Sequence, residues 1–230
     1  MDSLVIIPAR GGSKRIEKKN IKDFNGKPII VYAIENAIDS GLFAEVMVST
    51  DDQEIAVIAR DNQAKVPFMR SEANANDYAT LSDVLIEVVL QYKAQGKEFD
   101  TICCMLPTAA LITQDRLLES YKAFKSGNYS SLVPVIRFAY PIQRALKNND
   151  GLLQMREPEH LKSRSQDLEA YYHDSGQFYW IKTKDLLEQK TLFTSNTGFI
   201  ELKETEAQDV DTLLDWEMLI VKYNYLQNIK

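Results

Sequence analysis

The sequence predicts an α/β fold, a mainly parallel sheet in a three-layer α/β/α arrangement, with a small lobe inserted at about residues 137–182. Three observations predict it. Short apolar runs such as SLVIIP at 3–8, EVMVST at 45–50 and FDTICCML at 99–106 alternate with amphipathic stretches of helical period. The links between these runs are mostly too long for hairpins and hold helices, so the strands return in parallel with both sheet faces covered. Near residue 137 the alternation stops, and the chain turns polar, aromatic-rich and irregular before the pattern resumes. The 230 residues suit one large domain carrying an insertion, and 45% hydrophobic with 26% charged residues is an ordinary globular composition.

Each element has a local reason. Residues 3–8 read as a buried strand that Pro8 closes. PIIVYAIENAIDS at 28–40 reads as a helix, with Pro28 in its first turn and Gly41 at its end. After the second strand, DDQEIAVIARDNQA at 51–64 reads as a helix in which Asp51 and Glu54 have capping-box spacing. LSDVLIEVVLQYKA at 81–94 is the next helix, ended by Gly96, and FDTICCML the third strand. A helix over 113–126 and the strand SSLVPVI at 130–136 follow. Inside the inserted stretch, NNDG at 148–151 signals a hairpin. TLLDWEMLIVKYNYLQ at 212–227 is an amphipathic helix that Asp215 caps.

Charge is distributed unevenly. The net charge of −6 argues against a general nucleic-acid binder. Residues 10–27 hold seven Lys/Arg against two Asp/Glu, a local +5, so the rest of the chain carries −11. A basic island in an acidic chain points to a compact anion. Residues 201–215 reverse the sign, with six acidic residues and one lysine. No apolar run reaches ~18 residues, so no membrane helix is expected, and the start reads as a strand instead of a secretory leader; a cytoplasmic protein is expected. Cys103 and Cys104 are strand neighbours facing opposite ways, two reduced core residues. His160 and His173 are too few for a histidine-rich zinc centre. His173, Asp174 and Ser175 are adjacent in sequence, unlike a hydrolase triad, whose members meet through the fold.

The basic island, ARGGSKRIEKKN at 9–20, follows the first strand, where open parallel sheets bind ligands. Glycines let a backbone approach an anion, Arg offers a planar fork to phosphate oxygens and Lys a point charge. Neither the G-x-x-x-x-G-K-[ST] nor the G-x-G-x-x-G phosphate motif occurs. At the other end of the chain Asp209 and Asp211 flank Val210, and in an extended segment i and i+2 share a face. Two carboxylates so placed suit Mg²⁺ or Mn²⁺; an acidic surface strand is the plainer reading.

IPARGGSKRIEKKN resembles the N-terminal motif of the acylneuraminate cytidylyltransferase family, enzymes that make CMP-activated nonulosonic acids. The resemblance continues through NGKPIIVYAIENAIDSGLFAEVMVSTDDQEIAVIA, VPFMRSEANANDYATLSDV and DVDT. YPIQRAL and SRSQDLEAYYHDSGQFYW look most like the members that act on pseudaminic acid. The resemblance implies a Rossmann-like nucleotide-diphospho-sugar transferase domain that joins CTP to a nine-carbon 2-keto sugar acid and releases pyrophosphate. It puts Arg10, Lys14 and Lys19 on the phosphates, with Ala9, Gly11, Gly12 and Ser13 beside them and Asn20 holding the nucleotide. Arg70 and Thr80 match positions near base and ribose, and Asp77 is a further nucleotide-site candidate, with a plain loop residue as its alternative reading. Asp209 and Asp211 become metal ligands, and with Lys14 and Arg10 the catalytic set. Arg164 matches a position near the sugar carboxylate, and Gln143, Arg144, Gln177, Tyr179 and Phe193 are candidates for the rest of the sugar. Leu106 departs from the glutamine that many sialic-acid-activating members carry there, which favours a less hydroxylated, more apolar sugar. The lobe is expected to cross to a second copy in a homodimer. Alternatives are a cytidylyltransferase for N-acetylneuraminate, legionaminate or a 3-deoxy-octulosonate, or a nucleotide-binding regulatory module without turnover.

Overall fold

Apolar runs become strands where both of their faces can be covered. The computed structural model describes residues 3–228. In chain order these form β1 (Ser3–Pro8), β2 (Asp23–Phe24), β3 (Lys27–Pro28), α1 (Ile29–Asp39), β4 (Glu45–Ser49), α2 (Gln53–Asp61), α3 (Leu81–Ala94), β5 (Thr101–Met105) and α4 (Gln114–Ser126). Then come β6 (Ser131–Arg137), β7 (Leu146–Asn149), β8 (Leu152–Met155), β9 (Tyr172–Asp174), β10 (Phe178–Lys182), α5 (Thr183–Gln189), β11 (Thr197–Leu202) and α6 (Leu213–Asn228). The main sheet has seven strands in the order β11-β6-β10-β5-β1-β4, with β9 pairing β6 at its side. One hydrophobic cluster joins β1, β5 and β10 to α1, α2 and α4, and a second joins the same sheet to α3 and α5. This is the expected three-layer α/β/α arrangement.

Two expectations need correction. β1 pairs β4 and β5 in parallel and β11 pairs β6 in parallel, but β10 runs antiparallel between β5 and β6. The inserted lobe is therefore shorter than residues 137–182, because β9 and β10 belong to the main sheet. FYWIK is apolar on both sides of the strand, and Phe178, Trp180 and Ile181 are fully buried. Trp180 stacks on Phe43 and Phe124 and donates its indole N–H to Ser120 Oγ at 2.9 Å, a burial an exposed lobe could not supply. What remains of the lobe carries the β7–β8 hairpin, turning at Asp150 and Gly151 with φ of 51° and 85°, as NNDG predicts. The second correction is at α2: its N-cap is Asp52, which accepts from Glu54 N and Ile55 N. Asp51 is thereby released for another partner.

The C-terminal helix is seated by aromatics. Trp216 and Tyr223 of α6 meet Phe24 and Tyr32 edge-on, at centroid distances of 5.2–5.7 Å. Thr212 and Asp215 cap it reciprocally: Thr212 N donates to Asp215 Oδ2 at 2.7 Å and Asp215 N to Thr212 Oγ1 at 3.3 Å. Cys103 and Cys104 lie buried and unpaired in β5, and burial pushes the Cys104 thiol up to about 12.

Candidate active site

The chain leaves β1 for β4 on one side and later places β5 on its other side. Strand order reverses at that point, which opens a crevice beyond the carboxyl ends of β1 and β5. A cleft of about 290 Å³ lies there. Arg10, Ser13, Lys14, Arg15, Lys19 and Asn20 line it from the loop after β1, and Arg70, Asp77 and Thr80 from the segment leading into α3. Leu106, Pro107 and Thr108 line it after β5, and Asp209 closes it from the C-terminal segment. The basic island and one of the two aspartates, remote in sequence, thus face each other across one space.

Within the cleft the cations are held by internal anions. Arg10 Nη1 donates to Asp77 Oδ1 at 2.8 Å and to Asn76 O at 3.1 Å, and Lys14 Nζ donates to Asp77 Oδ2 at 2.5 Å. Hydrogen bonds from Lys14 and Arg10 hold the Asp77 carboxyl below the usual aspartate range. Asp51, freed from capping, accepts from Gly11 N at 3.0 Å and stiffens the loop from beneath. The Gly11 amide is therefore not offered to a ligand, contrary to expectation. A Cβ at Gly11 would lie 2.6 Å from Asp52 Oδ2, so only glycine fits; Gly12 has open space around it. Asn20 is buried and donates to Arg10 O at 3.0 Å, fixing the loop's backbone. Ala9 is buried and bonded to Ser49 O, so it shapes the loop from within. Arg70, nine-tenths buried, donates from Nε and Nη2 to Ser49 and reaches the cleft wall; burial lowers its pKa. Thr80 is the N-cap of α3, its hydroxyl tied to Asp83, so it presents the start of that helix to the cleft and not a free hydroxyl.

Asp209 and Asp211 lie in an irregular segment before α6, with Asp211 at a bend. Arg15 Nη2 pairs with Asp211 Oδ1 at 2.7 Å, and Lys19 Nζ donates to Val210 O at 2.5 Å. Lys19 thus holds the backbone between the two aspartates. Burial lowers its pKa, with Asp211 and Asp209 opposing that effect. Burial of its carboxyl and then the nearby charge of Asp211 raise the pKa of Asp209. A partly buried carboxylate beside a second one is a donor set that suits a divalent cation.

The sugar candidates do not assemble around this cleft. Gln143 is buried in the lobe and donates to Glu169 O at 3.0 Å; Arg144 reaches Ser165, and Arg164 forks onto Asp167 at 2.7 and 3.0 Å. Gln177 is fully buried behind the cleft. Tyr179 is buried in β10 and donates to Asp174 Oδ2 at 2.6 Å; burial and that aspartate push its pKa far up. Phe193 precedes β11, whose first residue pairs with the first residue of β6, so it sits at the opposite end of the sheet. Charge and aromatic composition cannot tell a residue that faces a ligand from one that satisfies its own lobe. Arg15, Asn74 and Asn76 line the cleft without having been singled out for it. Arg15 stood in the basic island and could have been included; Asn74 and Asn76 carried no signal.

The chain matches the family described as Cytidylyltransferase over residues 4–221. It is 42% identical over 224 residues to the pseudaminic acid cytidylyltransferase of Campylobacter jejuni subsp. jejuni serotype O:2, covering 97% of each. It is 30% identical over 226 residues to the CMP-N,N'-diacetyllegionaminic acid synthase of Legionella pneumophila, covering 95% of this chain and 94% of that one. Among solved structures it resembles a CMP:2-keto-3-deoxy-manno-octonic acid synthetase complexed with CTP, with a TM-score of 0.71 at 21% identity over 99% of this chain and all of that one. That likeness bears on the fold, including the layered architecture around the cleft.

Proposed function

Since the chain belongs to the cytidylyltransferase family, we propose that it transfers CMP from CTP to the anomeric hydroxyl of pseudaminic acid, releasing pyrophosphate. The observation that carries this reading is the single cleft in which Arg10, Lys14, Arg15 and Lys19 face Asp209 beyond β1 and β5. The anomeric oxygen forms a bond to the α-phosphorus and its proton passes to solvent, while the bond from that phosphorus to the bridging oxygen breaks and its electron pair leaves with pyrophosphate. Charge grows on the phosphate oxygens as this happens. Arg10 and Lys14 exchange Asp77 for those oxygens, and the α3 N-terminus presented by Thr80 adds a favourable dipole. Asn20 and Asp51 keep the loop in shape, so little reorganisation is left for the reacting state.

Asp209 and Asp211 would hold the divalent cation, magnesium or manganese, and the raised pKa of Asp209 beside Asp211 fits that assignment. Bound there, it would offset charge on the phosphates. Leu106 at the cleft wall supports an apolar sugar face. Arg144 and Arg164, on a lobe whose Leu146, Leu152, Leu153 and Leu161 are 59–74% exposed, would serve the cleft of a second copy, whereas buried Gln143 would brace the lobe from within. No helix among the described residues is long and apolar enough to cross a membrane, and use of CTP fits the cytoplasm.

Pyrophosphate release is the test, with CTP, UTP or ATP and a panel of 2-keto sugar acids. The expectation is turnover with CTP and pseudaminic acid ahead of legionaminate, N-acetylneuraminate and a 3-deoxy-octulosonate. Equal rates with all three nucleotides would refute the donor, and a preference for N-acetylneuraminate would refute the acceptor.

A further inference from the structure

The segment from Ala207 to Asp211 carries both acidic candidates, yet it belongs to no strand or helix. Side chains reaching in from elsewhere hold its backbone instead. Lys222 of α6, with only 9% of its surface exposed, donates to Ala207 O at 2.9 Å and to Glu204 Oε1 at 2.9 Å. Gln177, fully buried immediately before β10, donates its amide to Gln208 O at 3.1 Å and to the carbonyls of Ser175 and Gly176 at 3.2 and 3.0 Å. Asp215 accepts from Asp211 N at 3.1 Å. Burying an ammonium and a primary amide this deeply carries a desolvation cost that apolar side chains would avoid. Gln177 Oε1 is in addition buried without a hydrogen-bond partner. Gly176, at φ +63°, completes the fit: a Cβ there would lie 2.9 Å from Asp209 Cγ.

We propose that Lys222 and Gln177 are positioning residues that fix the backbone of 207–211, and through it the mutual aim of the Asp209 and Asp211 carboxylates. Carbonyls at 207 and 208 are pinned from α6 and β10, elements themselves locked by the Phe24–Trp216 aromatic cluster and by the central sheet. A two-residue carboxylate pair on an unladdered segment would otherwise sample many separations. The inference rests on the reading of Asp209 and Asp211 as cation ligands.

The test is Mn²⁺ titration of the full chain by electron paramagnetic resonance, with amide hydrogen exchange of 207–211 as a second readout. Supporting groups of this kind set metal affinity by about 10–100-fold. Lys222→Met and Gln177→Leu should each weaken Mn²⁺ by about tenfold or more and speed exchange at 207–211 while leaving the central strands protected. In the rate assay kcat should fall with KM for CTP nearly unchanged, and Lys222→Arg should recover most of the metal affinity. If Lys222→Met does not fold, Lys222→Gln replaces it, and Gln177→Leu is independent of both. Wild-type Mn²⁺ affinity in both folded variants, alongside weakened binding in Asp211→Asn, overturns the positioning role and leaves the cation assignment standing. Wild-type affinity in Asp211→Asn overturns the cation assignment, and the positioning role with it.

Discussion

Replacing Asp211 by Asn separates catalysis from folding. The change is nearly isosteric, and the Asp211 backbone N–H remains donated to Asp215 Oδ2, so the segment keeps its anchor. The interaction lost in the resting protein is the ion pair with Arg15 at 2.7 Å, whose side chains are 44% and 67% exposed. A pair that open contributes under ~1 kcal/mol, or about 2–4 °C in Tm for a chain of this size. The catalytic effect should be much larger. Removing one preorganised electrostatic group costs on the order of 10²–10³ in kcat, about 2.7–4 kcal/mol of transition-state stabilisation. Rates of pyrophosphate release across a Mg²⁺ series, with circular dichroism and Tm as controls, should show a deep loss of kcat in a folded enzyme. Asp209→Asn should match it, and the double variant should add little, because either change disables the same pair. A folded Asp211→Asn with near-normal kcat and unaltered Mg²⁺ dependence would reduce the two aspartates to an acidic surface segment and refute the mechanism.

Arg15→Met removes the cation now paired with Asp211, so half-saturation by Mg²⁺ should move to lower concentration; an unchanged or higher value would contradict competition for that carboxylate. Leu106→Gln puts an amide on the cleft wall and should shift the kcat/KM ratio between pseudaminic acid and N-acetylneuraminate toward the latter by about tenfold, the scale of one added polar contact; no shift would remove Leu106 from specificity. Leu153→Glu, at a position 74% exposed on the lobe, should leave the fold intact but yield monomers in sedimentation and lower activity; wild-type association would exclude this face from the interface. Glu45 is buried and accepts from Lys97, Tyr92 and Lys65. Burial pushes its pKa up, but those hydrogen bonds outweigh it and leave a net lowering. Its stabilising contribution is therefore complete above the unfolded value of 4.5 and disappears as pH falls through the lower folded value. Glu45→Gln should cost about 2 kcal/mol at pH 7 and flatten acid unfolding below pH 4.5 in denaturant titrations; an unchanged acid limb would show that other carboxylates govern it.

Much of the architecture is local and therefore readable from residues in a row. The helix over 81–94 is marked in the sequence by its apolar spacing and by Gly96 at its end; the structure bounds it at Leu81–Ala94 and adds the Thr80–Asp83 cap at its start. NNDG sets its own turn because a mirror-image turn needs residues that tolerate positive φ. The basic island was legible because charge of one sign accumulates within a few residues, beyond a strand whose end must lie at a sheet edge. Long-range pairing left no such mark. FYWIK falls in the stretch that reads as an inserted lobe, and nothing in its five residues says that it enters between β5 and β6 and runs against them. Spacing to Glu54 favours Asp51 as the cap of α2 in the sequence; only the approach of Gly11 to within 3.0 Å assigns Asp51 to the loop and leaves the cap to Asp52. Nothing around Lys19 in the sequence shows that it also reaches Val210 O, and Gln177 reads as a sugar contact until it proves to be buried against the carbonyls around Asp209. These are donors whose partners are carbonyls, and every residue has a carbonyl. The identity of the acceptor is then carried by chain geometry alone, and three-dimensional packing has to supply it.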